Sequence, residues 1–518
     1  MSVLLHHLSQ FKSSLYETAR GLLRSRNRLS ETNQELTCEI KRLNEENKQL
    51  IAHNKRYEQR LIETQQENKM LRDENEMLVQ QPIQLPSDLP LPHHCFGPKM
   101  IALCLNLCKA IGFRPTEVAL KIIFEWLGIE TKIPSWCSIR IWACRVGVAL
   151  LQQLPEQADD WIWMADHSNQ IGTEKVLQIL GIRAGDLPEP GQTLSREEMT
   201  VLAVIPGKDW KCEDVRREYK KLAMRIGAPR YLITDGAVEL FESADTLQNK
   251  GEKTIVLRDM KHFAANTLEK LIGKSERFTS YLSELGRTRS RIQQTELSHF
   301  TPPPQKQKAR FMNLGPTLCW GQMVSYHLSH AHSESRRDVK TSRMNEKLGW
   351  VRGYRDDLAI WGRCQSVMQT SLKFINHHGL SAGSADQLQT ILDELFNSWS
   401  SHCEQSQQMA TSLIDFVRDS ESQLEPEQRA WLSTENLESS FGLFKEFEGQ
   451  HSKGGFTSLI AAMPMLLTNW TADRVRESLD AVSVKAMRSW VTENLGNTLN
   501  SKRTTAYKEF KTATVASG

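Results

Sequence analysis

Two apolar stretches of this chain run into an aspartate: WIWMADHSNQ carries Asp166 in a strand and PRYLITDGAVEL reaches Asp235 at the end of another. A third, KTIVLRDMKHF, carries Asp259 and His262. Acids at the ends of neighbouring strands lie side by side, and their charges repel unless a cation sits between them. Hard oxygen donors with open coordination positions suit Mg²⁺. Two such ions, roughly 3.5–4 Å apart, can activate a water or a 3′-hydroxyl and stabilise the oxygen that leaves an in-line phosphoryl displacement. That chemistry needs a third carboxylate, from a helix facing the sheet. A single strand-end Asp also has a plainer role, as a turn former or helix cap.

The elements that must position these acids follow from periodicity. WIWMADHSNQ, KVLQILGI and MTVLAVIPG are β-rich runs at hairpin spacing and predict three antiparallel strands. CEDVRREYKKLAMRIG is amphipathic, with Val215, Tyr219, Leu222 and Ala223 on one face, so it predicts a helix. Tyr231–Thr234 predicts a buried strand followed by a helix, and KTIVLR a fifth strand. The order β-β-β-α-β-α-β-α is that of a ribonuclease-H-like domain.

The N-terminal 80 residues have another texture. Leu15, Leu22, Leu29, Leu36, Leu43 and Leu50 recur every seven residues, and the series continues through Tyr57 and Thr64 to Leu71 and Leu78. Three residues before them runs a second seam that includes Asn33, Ile40, Asn47, Asn54, Leu61, Asn68 and Asn75. Leu at d with repeated Asn at a marks a parallel two-stranded coiled coil, in which buried amides trade stability for register. Residues 81–98 hold five prolines and predict an extended linker. Apolar-periodic segments at about 99–111, 116–127 and 135–154 follow. Two short helices and a long third one bearing Arg140 and Arg145 predict a helix-turn-helix-like unit whose alternative is ordinary three-helix packing.

Composition sets outer bounds. At 518 residues the chain has room for several structural units. With 65 Lys+Arg against 62 Asp+Glu, it is neither a polycation nor an acidic tail protein, which leaves room for a local basic face. No run approaches the roughly 18–20 apolar residues of a membrane span, and the first residues lack a secretory pattern. The ten cysteines contain no CxxC pair and predict reduced thiols. Cys104 and Cys108, with His93, His94 and Cys95 upstream, could suggest zinc, but on an apolar helix they predict core thiols.

With these residues in place, the chain resembles DDE transposases of the retroviral-integrase superfamily, best matched to prokaryotic insertion-sequence enzymes. WIWMADHSNQIGTEKVLQILGI, YLITDGAVEL and WLSTENLESSFGLFKEFEGQ carry the resemblance, which covers roughly residues 95–470. It implies a third acid opening a helix, with Lys or Arg after six intervening residues. Glu438, with SSFGLF before Lys445, fits that pattern and is preferred to Glu435. Trp431 and Thr434 stand where one large branch has Tyr and Arg, a departure from that branch. Asp259 and His262 match an Asp-x-x-His pair found between the second and third acids, with a contact to scissile DNA and a structural hydrogen bond both open.

The fold thus expected is multidomain α/β. Its RNase H-like core is a mixed five-stranded sheet with helices, interrupted by an all-α insertion and preceded by a helix-turn-helix-like domain and an N-terminal parallel coiled coil. The boundaries are 1–80 for the coil, 81–98 for the linker and 99–155 for the helical domain. The core spans 156–285 and 429–475, with a basic loop and insertion at 286–428 and a C-terminal helix and tail at 476–518. Asp166, Asp235 and Glu438 would hold two Mg²⁺ ions, for which Mn²⁺ can substitute. Lys445, Arg140, Arg145, Arg287, Arg289, Arg291, Lys306, Lys308 and Arg310 would meet DNA. Trp320, Trp350 and Trp361 are candidates for a flanking base, with a helix-core role favoured. The resemblance implies cleavage at transposon ends and transfer of the 3′-hydroxyl into target DNA; the coiled coil predicts a homodimer, with a larger assembly on DNA, and the thiols and missing secretory and membrane patterns a cytoplasmic, nucleoid-associated setting without membrane contact. The rivals are a non-catalytic scaffold on a decayed core and a structure-specific nuclease or resolvase of the same fold.

Overall fold

Five strands form the sheet that positions the acids: β1 (Trp161–Ile171), β2 (Glu174–Arg183), β3 (Thr200–Lys208), β4 (Tyr231–Thr234) and β5 (Ile255–Arg258). In this computed structural model the sheet order is β3-β2-β1-β4-β5. The first three strands are antiparallel neighbours, and β1, β4 and β5 run parallel. The structure describes residues 2–80, 87–153, 155–171, 174–306, 310–330, 341–450, 457–496 and 503–510. The chain divides into two compact units, Met1–Pro86 and Ser87–Gly518.

Alternation along the strands builds two cores, as a period of two requires. Trp161, Trp163, Ala165, Leu177, Ile179 and Leu202 face one side. There they meet Val215, Tyr219, Leu222 and Ile226 of α5 (Cys212–Ile226). Gly227 ends this helix at φ +90°, and a Cβ there would lie 2.1 Å from the Ala158 carbonyl oxygen. Ile162, Met164, Val176, Leu180 and Ile233 face the other side, where the remaining helices pack. β4 is buried on both faces, which explains its unbroken apolar run.

The expected helix-turn-helix is corrected by packing. α2 (Pro98–Ile111), α3 (Phe113–Trp126) and α4 (Trp136–Gln152) form close to where periodicity places them. However, α4 is a core helix: Ile139, Trp142, Ala143, Val146, Val148 and Ala149 are all buried. It lies so close to the 3₁₀ segment Ser458–Leu467 that a Cβ on Gly147 would sit 2.0 Å from the Ala461 carbonyl oxygen. From Trp142 to Ala149 the helix is enclosed, and only its first turns, around Cys137 and Arg140, keep an open face. Arg145 is likewise corrected: its buried guanidinium donates to the carbonyls of Val482 and Leu479, each at 2.7 Å. Arg140 is exposed and donates to Ser458 Oγ at 2.7 Å. Arg145→Ala should therefore lower stability by about 3 kcal/mol, through loss of two charge-assisted bonds to buried carbonyls, and leave DNA affinity unchanged. Urea unfolding and a binding titration of the same sample check both.

The insertion is helical, as expected, but its first boundary moves. α7 (Glu276–Ile292) runs through residue 286, because Ser275 caps it and Phe278, Tyr281, Leu282, Leu285 and Ile292 bury one continuous face. It follows α6 (Met260–Leu268) in the chain. Arg287, Arg289 and Arg291 thus lie on a helix and not in a loop. Beyond come α8 (Gly315–His330), α9 (Arg355–His378), α10 (Ser384–Asn397) and α11 (Glu404–Glu421). Trp320, Trp350 and Trp361 join this core; Trp320 Nε1 donates to the Phe300 carbonyl at 2.7 Å and Trp350 Nε1 to Thr288 Oγ1 at 2.9 Å. Cys104 and Cys108 are buried, and burial pushes the Cys104 thiol up to about 12, so it stays a protonated core thiol.

The first unit is one helix, α1 (Ser2–Gln80). Its polar flanks pair along the helix, Arg42 with Glu39 at 2.7 Å and Lys48 with Glu45 at 2.9 Å. The leucine stripe is exposed, from Leu22 at 67% to Leu71 at 50%, so one chain alone leaves it uncovered within this unit. No described helix is long and apolar enough to cross a membrane.

Candidate active site at the ends of the central strands

Asp166 and Asp235 are brought together by the parallel ladder. Ala165 of β1 pairs with Thr234 of β4, and the two aspartates are the next residues on their strands, roughly 4.8 Å apart in the backbone by ordinary strand spacing. By alternation Asp166 shares its face with Ile162 and Met164, the face against which α12 (Glu435–Gly449) packs. Asp235 closes a tight turn: its Oδ1 accepts from the Ala237 amide at 2.8 Å, and Gly236 takes φ +90°.

Glu438 lies in the first turn of α12. Its Oε2 accepts from Lys261 Nζ at 2.7 Å, and its Oε1 is 3.8 Å from His262 Nε2. Glu435, one turn earlier, is held by Asn376 Nδ2 of α9 at 2.8 Å and lies 3.6 Å from Lys261. Both glutamates open the helix, but it is the charge of Glu438 that reaches Asp166. Burial first, then the charges of Asp235, Glu438 and Asp259, hold the Asp166 carboxyl well above the usual range, against the His167 amide that donates to it at 2.6 Å.

Asp259 is the anchor of the site. It is fully buried, and its Oδ1 accepts from the His262 amide at 2.8 Å, capping α6 (Met260–Leu268). Its Oδ2 accepts from the Thr434 amide at 2.5 Å and Thr434 Oγ1 at 2.7 Å. Of the two roles open for this residue, the structural one is occupied: the carboxylate ties α6 to the residue from which α12 starts. Asp259→Ala should cost about 3 kcal/mol, the scale for a buried charged acceptor whose donors are stranded, seen as a lower urea midpoint with unchanged slope.

Several residues that sequence reasoning passed over complete the arrangement. Gln178 lies opposite Asp166 on β2 and exchanges hydrogen bonds with Ser440 of α12, at 2.9 and 3.2 Å. It fixes the depth of the helix that carries Glu438. Arg196 reaches Ser439 Oγ at 3.3 Å. Lys261 stood inside the Asp-x-x-His pair itself. A pocket of about 440 Å³ beside Glu438 is lined by Lys261, Asn376, Trp431 and Asn436. Beyond Asp166, His167 turns to the opposite face, 5.3 Å from Trp210, where burial lowers its imidazole to about 4.

The basic residues are dispersed. Lys445 is exposed on α12, seven residues after Glu438 and so on nearly the same helix face. Arg287 pairs with Glu284 at 2.6 Å, and Arg289 donates to the Pro302 carbonyl. Arg291 is exposed, and Lys306 donates to Asn313 Oδ1 at 3.2 Å. Arg310 lines a second pocket of about 480 Å³ with His262, Asn266 and Glu269. Lys308 lies outside the described residues.

The donor chemistry of Asp166, Asp235 and Glu438 fits hard divalent cations, and the Asp166 carboxyl is raised by burial first and then by its acidic neighbours. Among the described residues no three His, Cys, Asp or Glu side chains converge closely enough to hold an ion as they stand. Glu438 faces Lys261 instead.

No family model and no curated protein matches the chain. Among solved structures, the Drosophila P element transposase strand transfer complex is similar at 11% identity, over 78% of this chain and 97% of that one, with a TM-score of 0.36. At that level the likeness bears on neither activity nor branch.

Proposed function

We propose that this chain is a divalent-metal-dependent DNA transposase that cuts at transposon ends and transfers the freed 3′-hydroxyl into target DNA. The observation that carries the reading is the meeting of Asp166 and Asp235 on adjacent parallel strands, with Glu438 near enough to raise the Asp166 carboxyl. Asp166, Asp235 and Glu438 would hold the cations, which supply Lewis-acid activation of the attacking oxygen and charge relief at the leaving one. The residues around them keep that set in place. Asp259 and Gln178 set α12 against the sheet, and Lys445 offers an exposed cation to a DNA phosphate on the Glu438 side. Cleavage and joining use the same in-line geometry, with water and then the 3′-hydroxyl as nucleophile.

The test is cleavage and joining by the full chain on duplex DNA carrying the ends of its element. Metal-dependent 3′-end cutting followed by joining is the expected result. Cutting without joining would identify a nuclease or resolvase, and binding without cutting in Mg²⁺ or Mn²⁺ would overturn the catalytic reading in favour of a scaffold.

A further inference from the structure

Lys261 already holds one oxygen of the carboxylate that a cation at this site would need. Its ammonium is 2.7 Å from Glu438 Oε2, with only 20% of the side chain exposed. Asp259, two residues back, offers it no close partner, because that carboxylate is spent on the His262 and Thr434 donors. Glu435 Oε1, at 3.6 Å, is a second seat for the same ammonium, and Asn376 steadies that carboxylate through its other oxygen. Lys261 can therefore give up Glu438 without stranding its charge.

We propose that Lys261 is a built-in competitor for the third carboxylate: a divalent cation gains both oxygens of Glu438 only by moving the Lys261 ammonium to Glu435, which sets the cation concentration at which the site assembles. This rests on the metal-binding reading of Asp166, Asp235 and Glu438. An ammonium and a divalent cation cannot share one carboxylate oxygen without strong repulsion. Lys261 is thus a positioning residue; Glu435 has a role as its acceptor, distinct from that of Glu438.

The test is Mn²⁺ binding to the full chain without DNA, with free Mn²⁺ counted by electron paramagnetic resonance. Lys261→Gln should tighten binding by about tenfold, and Lys261→Arg, which keeps the charge, should stay within about threefold of native. Glu435→Gln should weaken binding in the native background and lose most of that effect when combined with Lys261→Gln, a coupling that a double-mutant cycle reads directly. Unchanged affinity in Lys261→Gln, or equal tightening in Lys261→Arg, would overturn the proposal. Asp235→Asn separates the two levels. If it abolishes Mn²⁺ binding while Lys261→Gln leaves it unchanged, only the competitor role fails; if neither native nor Lys261→Gln binds Mn²⁺, the metal reading falls with it. Circular dichroism on each variant verifies that the fold is retained.

Discussion

Asp166→Asn should abolish cleavage and joining, by roughly a thousandfold or more, and at the same time make the protein more stable near neutral pH in EDTA. The two effects have one source. Asp166 is held above its ordinary range by burial and by the charges of Asp235, Glu438 and Asp259. The folded chain therefore keeps this proton to higher pH than the unfolded chain does. Below the ordinary Asp value, about 3.9, both states are protonated and Asp166 costs nothing. As pH rises from there through the raised folded value, the unfolded chain ionises first and native stability falls. Asparagine has no such step. The variant should match the native protein at the acid end and exceed it by about 1–2 kcal/mol at neutral pH, the scale of one relieved buried charge. Urea midpoints across the pH range in EDTA measure this. A variant less stable at pH 7 would identify Asp166 as a hydrogen-bonded anchor like Asp259, whose loss moves stability the other way.

That contrast shows what the sequence could and could not convey. Strand periodicity brings Asp166 and Asp235 onto neighbouring strands, Asp235 just past the end of β4, but β1 runs on to Ile171, so Asp166 lies mid-strand where its parallel pairing with β4 stops. It could not separate Asp259 from the catalytic candidates, since a cap and a metal ligand share the strand-end position; the distinction lies in Thr434, 175 residues away. Gln178, Ser440 and Asn376 were invisible for the same reason: their partners are remote in sequence and their spacing carries no period. The misread element, α4, did hold a warning. Its later part, IWACRVGVALL, is apolar around the circumference apart from Arg145, the mark of an enclosed helix, whereas the exposed face is confined to the first turns. Arg145 looked like a DNA contact only because its acceptors, Leu479 and Val482, come from the far end of the chain. The charges of the basic run at 287–291 suggest a loop, while the apolar spacing of Phe278, Tyr281, Leu285 and Ile292 beneath it is what makes the segment a helix.

The N-terminal helix leads to the second large effect. Leu22, Leu29, Leu36, Leu43 and Leu50 are half to two-thirds exposed along one stripe of α1, and burying each leucine against a partner is worth about 1.5–3 kcal/mol. A two-stranded parallel coil covers them all with a second copy of the same stripe, and Asn33, Asn47, Asn54, Asn68 and Asn75 at the other seam favour two strands in one register. Leu43→Glu with Leu50→Glu places like charges in the leucine seam. Glutamate is a good helix former, so α1 itself should persist and far-ultraviolet circular dichroism should change little. Light scattering at micromolar concentration should then show a dimer for the native chain and a monomer for the double variant. Under the proposed function, joining two transposon ends in one event would need two copies of Asp166, Asp235 and Glu438 in one assembly, one set from each chain. The variant should still bind one end and lose concerted joining of two, a defect that dilution of the native protein would reproduce. A variant that stays dimeric would move the dimer contact elsewhere, and a native monomer would leave the stripe for a different helix to cover.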